Sequence, residues 1–435
     1  MGSPTAAAPT DHAPVPARRL DDGSTVDLVD PTPNRGPIPV RAPRSRVQSF
    51  ASAARRAQVR TGRFGFNAAL HQRARRFARH DLAVPRWNPL RTAHAALDEL
   101  VMVYFEMFAD PMPADVFLRV EQQIDGLNAL WDDIGVAADP SSLHATPAAP
   151  VIVSDEAGSF GGVAGRELRF VSEWEPHAAA PGRAAWLDAS NNHEGVIRVF
   201  THDDGPRPWL VVIHGADMGR SWDARMLRVE TMARELGVNI AMPVLPLHGP
   251  RGDGSRTRAG FPSDDHVANI HGLSHALWDV RRTIAWVREQ DPTAIGVFGF
   301  SLGGCMASLL ACTETDLDAV VMGCPAADLV DLVRANTRPE LRNQPRLSRL
   351  YGEASRAARP VTAFALQPTL PPERLALVSA HADRLADPVF QVGRLWHHFG
   401  RPELVGVDSG HVSFFMQSGW VDQVNELLAA RGVAA

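Results

Sequence analysis

The side chains best suited to chemistry in this sequence are one serine, a few histidines and a few aspartates downstream of it. The serine is Ser301, in Gly299-Phe300-Ser301-Leu302-Gly303. An apolar run from Ile295 leads into it, and a helical pattern through Cys305, Met306, Leu309 and Leu310 follows at once. Strand, tight turn and helix are the context of a nucleophile elbow. The two flanking glycines fit, because a strained turn leaves little room for a Cβ. Such a turn lifts the hydroxyl above the end of the strand and sets the Leu302 N–H beside it.

A serine hydroxyl is a weak nucleophile. It needs a base, and the base needs an orienting acid. Downstream of Ser301 the histidines are His381, His397, His398 and His411. His411 follows Gly410 just after the last strand-like run, at the sheet edge where open α/β folds bind ligands. It is the favoured base. His397 and His398 fall inside a helical pattern, and His381 precedes the favoured acid, the wrong chain order. That acid is Asp383, just past the apolar run Arg374–Ser379; Asp387 and Asp328 stand behind it. Each aspartate also reads as a cap or turn residue.

Two further pairs have suggestive spacing. His271 and His275 are four apart on one helical face, a metal-ligand spacing. Gly272 stands where a zinc protease would carry glutamate, so no metal is expected. His248 and Arg251 follow a strand end on the site's side. They either bind an anionic substrate group or pair within their own loop.

The elements that must position these groups alternate. Strand patterns at 167–174, 195–200, 209–213, 238–244, 295–300, 317–322, 374–379 and 404–407 are separated by helical ones at 226–236, 263–288, 388–399 and 413–430. Alternation of this kind means a mostly parallel sheet with helices on both faces. Ahead of it, Ala96, Leu97, Leu100, Val101 and Tyr104 mark one helix, and Phe117, Val120, Ile124 and Leu127 a second. Residues 1–43 lack periodicity and read as a disordered tail. Residues 44–150 read as an Arg-rich and helical extension, and 151–435 as the catalytic domain. Arg44 to Arg79 holds ten arginines and no acid. It reads as a helical arm with solvated charges rather than a membrane-surface contact.

Composition narrows the class. The 44 basic residues are all arginine, against 49 acids. A net charge of −5 gives no general attraction to nucleic acid or membranes. Three cysteines do not make a disulfide framework, and no apolar leader opens the chain. The expectation is a cytoplasmic protein with no cofactor, acting on a small acyl ester.

Together these motifs resemble the α/β-hydrolase superfamily over about residues 165–435. Gly299 to Gly303 resembles its elbow, Asp383 its acid loop and Gly410-His411 its histidine loop. Ile213-His214-Gly215-Ala216-Asp217-Met218-Gly219 resembles its oxyanion turn. Leu245-Pro246-Leu247-His248-Gly249-Pro250-Arg251 resembles a block in a poorly characterised subgroup. The resemblance implies an eight-stranded α/β sheet, a Ser–His–Asp triad, and an oxyanion hole from the N–H groups of Leu302 and Ala216. The implied activity is carboxylic-ester hydrolysis through an acyl-enzyme. An acyltransferase or peptidase would use the same triad, and a binding protein could keep the fold alone. The long interval 325–372, between two strands, is expected to form a lid of broken helices with a basic face.

Overall fold

The continuous apolar runs fold as strands covered on both sides. The computed structural model describes residues 30–38, 81–82 and 88–435, except 109–112, 203–204, 253–259, 338–340, 342 and 418. Before residue 81 it also describes 18–19, 25–26, 58, 61–62, 64, 69, 73 and 75. Most of the tail and of the Arg-rich arm 44–79 lies outside the described residues.

The main sheet is built from β1 (Ile152–Phe160), β2 (Val163–Val171), β3 (Glu194–Phe200), β4 (Trp209–Ile213), β5 (Asn239–Val244), β6 (Ile295–Phe300), β7 (Ala319–Gly323), β8 (Leu375–Ala380) and β9 (Glu403–Val407). Their spatial order is β9-β8-β7-β6-β4-β5-β3-β2-β1. Pairings among β4 to β9 are parallel, and β1, β2 and β3 join antiparallel. This is the α/β-hydrolase fold, with nine strands in place of the expected eight. The added strand is β1, an edge strand of which only Phe160 is buried. A strand exposed on both faces carries no alternating apolar signal.

The longer helices among the described residues are α1 (Pro89–Phe108), α2 (Ala114–Asp133), α3 (Val229–Leu236), α4 (His266–Arg288), α5 (Leu302–Leu310), α6 (Leu329–Asn336), α7 (Pro345–Ala357) and α8 (Gly419–Ala429). Along β4, Trp209, Val211 and Ile213 join the core under α2, α4 and α5. Leu210 and Val212 join the core under α3 and α8. That alternation is the period of two of a strand, with both faces apolar because both are covered. Asp265 starts α4 by accepting from the N–H groups of Val267 and Ala268, both at 3.0 Å. Among the described residues, no helix is long and apolar enough to cross a membrane.

The interval 325–372 contains α6 and α7, and α7 is docked on α2. Trp131 Nε1 donates to Ala357 O at 2.9 Å, and Asn128 Nδ2 to Glu353 O at 3.1 Å. Tyr351 is buried with its hydroxyl 2.6 Å from Thr337 Oγ1. Arg346, expected on a basic outer face, is only 1% exposed. Its guanidinium meets Glu121 Oε2 at 2.6 Å, Asp30 Oδ2 at 2.6 Å, Thr32 Oγ1 at 2.9 Å and Gly36 O at 2.8 Å. A buried guanidinium must be matched by carboxylates and carbonyls. Residues 30–38, read from sequence as part of a disordered tail, supply several of them.

Removing residues 1–43 takes Asp30, Thr32 and Gly36 from a buried cation and leaves it with Glu121. The truncated chain should lose about 2–4 kcal/mol of unfolding free energy. Equilibrium urea denaturation reads this directly; an unchanged midpoint would mean that Arg346 finds other partners.

Candidate active site

Ser301 sits between β6 and α5 with φ 57° and ψ −111°. Non-glycine residues rarely adopt this backbone, and it costs on the order of 1–3 kcal/mol. The glycines around it leave the needed room: a Cβ at Gly299 would strike the carbonyl of Gly303, and one at Gly303 the carbonyl of Ile213. β7 and the segment after it hold the turn, since Ser301 N donates to Gly323 O at 2.8 Å and Ala326 N to Ser301 O at 3.1 Å.

The favoured serine, base and acid come together. His411 Nε2 is 2.9 Å from Ser301 Oγ, and His411 Nδ1 is 2.7 Å from Asp383 Oδ2. The other oxygen of Asp383 accepts from the N–H groups of Leu385 and Ala386, both at 2.8 Å. Asp383 is fully buried and His411 is 8% exposed. Burial alone would lower the affinity of His411 for a proton. The Asp383 carboxylate, with a further push from Asp98, outweighs it and raises the pKa above the ordinary 6.5.

The competing residues have other work. Asp387 caps the turn after it, accepting from Val389 N at 2.8 Å and Phe390 N at 3.0 Å, and also takes Arg75 Nε at 2.9 Å. The following helical stretch is a π-turn at Pro388–Gly393 before a short α-helix. Asp328 caps α6 by accepting from Asp331 N at 2.9 Å. His381 pairs with Asp408 at 2.7 Å. His397 lies beside the Trp396 ring, and His398 between Phe364 and Phe399.

The turn after β4 lies against Ser301: a Cβ at Gly215 would be 3.3 Å from that of Ser301. One residue here had no role assigned from its sequence context alone, His214. His214 is buried, and burial, with His248 beside it, keeps its pKa well below normal and the ring neutral. Its Nε2 accepts from Leu245 N at 3.1 Å, so its Nδ1 carries the proton and donates to Gly215 O at 2.8 Å. A trans peptide points its C=O and N–H in opposite directions. Fixing the Gly215 carbonyl therefore turns the Ala216 N–H the other way. Leu302 opens α5, whose first in-helix bond is Cys305 N to Ser301 O at 3.0 Å. Its N–H is one of the helix-start donors without an intrahelical acceptor.

Arg251 and His248 do not form an anion site. Arg251 is 1% exposed and donates to Asp279 Oδ2 and Val244 O, each at 2.7 Å, and to Asn192 O at 3.1 Å. Burial pushes Asp279 up, but Arg251 and His275 hold its pKa down at about 2. His248 is equally buried, with Nδ1 2.8 Å from Pro246 O, and burial lowers its pKa to about 4. Arg251 is thus the structural anchor of its loop. The signal was present in the sequence: an aspartate on the otherwise core-facing side of α4 demands a buried cation.

The two α4 histidines serve packing. His271 Nε2 is 2.8 Å from Pro181 O, and His275 Nε2 is 2.7 Å from Ser172 Oγ. Cys324, Asp383 and His411 bring three potential ligand atoms within 4.8 Å of one another. Burial raises the Cys324 thiol well above its ordinary pKa, so it keeps its proton. Asp383 and His411 direct their atoms of this set at each other, at 2.7 Å.

No protein-family model matches the sequence. Uncharacterised protein MT2702 of Mycobacterium tuberculosis (strain CDC 1551 / Oshkosh) is 36% identical over 341 residues, 77% of this chain and 81% of that protein. Uncharacterised protein Rv2627c of strain ATCC 25618 / H37Rv is 35% identical over the same shares. Among solved structures, acetyl xylan esterase 1 from Thermoanaerobacterium sp. JW/SL YS485 is 14% identical with a TM-score of 0.46, over 72% of this chain and 94% of that one. The acetyl xylan esterase of Paenibacillus sp. R4 is 15% identical with a TM-score of 0.43, over 72% and 99%.

Arg251→Ala should therefore act on folding and not on substrate affinity. Stranding Asp279 as a buried charge is expected to cost about 3–5 kcal/mol. Thermal unfolding and acetate binding by calorimetry separate the two roles. A stable variant that has lost acetate binding shown by the parent would restore the anion-site reading.

Proposed function

The chain belongs to the same family as these two mycobacterial proteins, and we propose that it is a serine hydrolase that cleaves a carboxylic ester through an acyl-enzyme. The observation that carries this reading is the hydrogen-bonded series Ser301 Oγ, His411, Asp383, with steps of 2.9 and 2.7 Å.

The chemistry follows from the geometry. His411 in its neutral form takes the Ser301 proton as the hydroxyl oxygen attacks the ester carbonyl carbon. The imidazolium so formed is stabilised by the Asp383 carboxylate. Negative charge gathers on the former carbonyl oxygen, and the Leu302 and Ala216 N–H groups are its proposed donors. Losing one such donor costs about 3–4 kcal/mol of barrier. His411 returns the proton to the leaving alkoxide, and the alcohol departs. Water, deprotonated by the same imidazole, then attacks the acyl-enzyme, and the acid and free serine are regenerated.

A fluorophosphonate should label Ser301, and Ser301→Ala should abolish both labelling and turnover of p-nitrophenyl esters. Labelling of the alanine variant at the parent's rate would move the nucleophile elsewhere. Asp383→Asn should lower kcat by about 10⁴-fold with the fold retained, because it upsets the histidine tautomer. Asp387→Asn should cost far less. The working base is the neutral imidazole and its pKa is raised, so kcat/KM should fall as pH drops through a midpoint above 6.5. A midpoint below 6.5 would contradict the raised pKa.

A further inference from the structure

The loops that carry Asp383 and His411 are held by a carboxylate from outside the catalytic domain. Asp98 lies on α1 in the N-terminal extension and is fully buried. Its Oδ2 accepts from His411 N at 2.8 Å and from Arg384 N at 3.0 Å, and its Oδ1 from Val412 N at 2.9 Å. One side chain thus ties the residue after the acid to the base itself. Gly410 makes the approach possible, because a Cβ there would sit 2.8 and 2.9 Å from the two Asp98 oxygens. The extension grips the acid loop a second time. Arg75 donates from Nη2 to Asp383 O at 2.7 Å and from Nη1 to His381 O at 3.1 Å.

We propose that Asp98 is a positioning residue for the reaction: the N-terminal extension uses its carboxylate to fix the His411 loop against the Asp383 loop and to add negative charge behind the imidazole. The inference rests on the hydrolase reading above. The ionisable groups around His411 are Asp383, Asp98 and the protonated Cys324 thiol. Arg75 lies behind Asp383, and Arg384 and Glu99 pair beside Asp98 at 2.8 Å. The His94 carbonyl also faces Gly410. Burial first, and then Asp383, raise the Asp98 pKa to about 6. Asp98 is therefore ionised above neutrality, where the base must work, and its charge favours the imidazolium.

The test compares full-length parent, Asp98→Asn and Gly410→Ala. The readouts are kcat and KM on p-nitrophenyl acetate and the rate of fluorophosphonate labelling, across the range in which histidine titrates. Asp98→Asn removes the charge and one set of acceptors. It should lower kcat by about 10–100-fold, leave KM nearly unchanged, and move the acidic limb of kcat/KM to lower pH. Gly410→Ala keeps the charge but displaces the carboxylate, so kcat should fall with the limb in place. A parental kcat in Asp98→Asn, or a loss with an unmoved limb, overturns the proposal. If Asp98→Asn does not fold, Gly410→Ala decides, and parental kcat there overturns it. An inactive and unlabelled parent would instead sink the hydrolase reading, and this inference with it.

Discussion

A hydroxyl hands a proton to an imidazole only at hydrogen-bond distance, and here the two groups stand 110 residues apart in the chain. The parallel strands end in a row, so β6, β8 and β9 deliver Ser301, Asp383 and His411 to one edge. The strained backbone of Ser301 persists because β7 and the segment after it pin both sides of its peptide. Strain of this kind survives only where the surroundings over-determine the conformation.

Buried arginines do the work of fastening. Arg346 joins α7 to α2 and to residues 30–38, and Arg251 joins the loop after β5 to α4. Each guanidinium offers five donors in a planar fork, so one side chain meets several carbonyls and a carboxylate together. Paired charges like these are weak contributors to net stability, yet removal of one partner leaves the other stranded. They define which segment goes where. A chain with no lysine has placed this task on the cation that never loses its proton.

The strands and the Ser301–His411–Asp383 set were legible because each is a local pattern. An apolar run ending in Gly-x-Ser-x-Gly, an aspartate past a strand and a Gly-His after the last strand can be read a few residues at a time. What was not legible depends on distant partners. Asp98 reads as an ordinary polar residue of an amphipathic helix until its acceptors are seen to face His411, 313 residues away. Arg346 reads as part of a solvated stripe until Asp30 and Glu121 close over it. Arg251 stayed open between a ligand and a partner in its own loop, and the deciding partner, Asp279, lies 28 residues further on. The edge strand β1 escaped because its side chains answer to solvent on both faces.

The reach of α1 across the chain has a consequence for how the molecule is made. Synthesis runs from the N-terminus at about 5–20 residues per second, so Asp98 waits roughly 15–60 s for the loop it will hold. During that interval the backbone donors that meet its carboxylate, at Arg384, His411 and Val412, have not yet been made. The contacts of greatest sequence separation form late, because loop closure must come before their reward. The contact between Asp98 and the His411 loop, 313 residues apart, is of this late kind. A nascent chain that holds every strand up to β8 still lacks His411, which follows β9, and with it the backbone donors that close on Asp98.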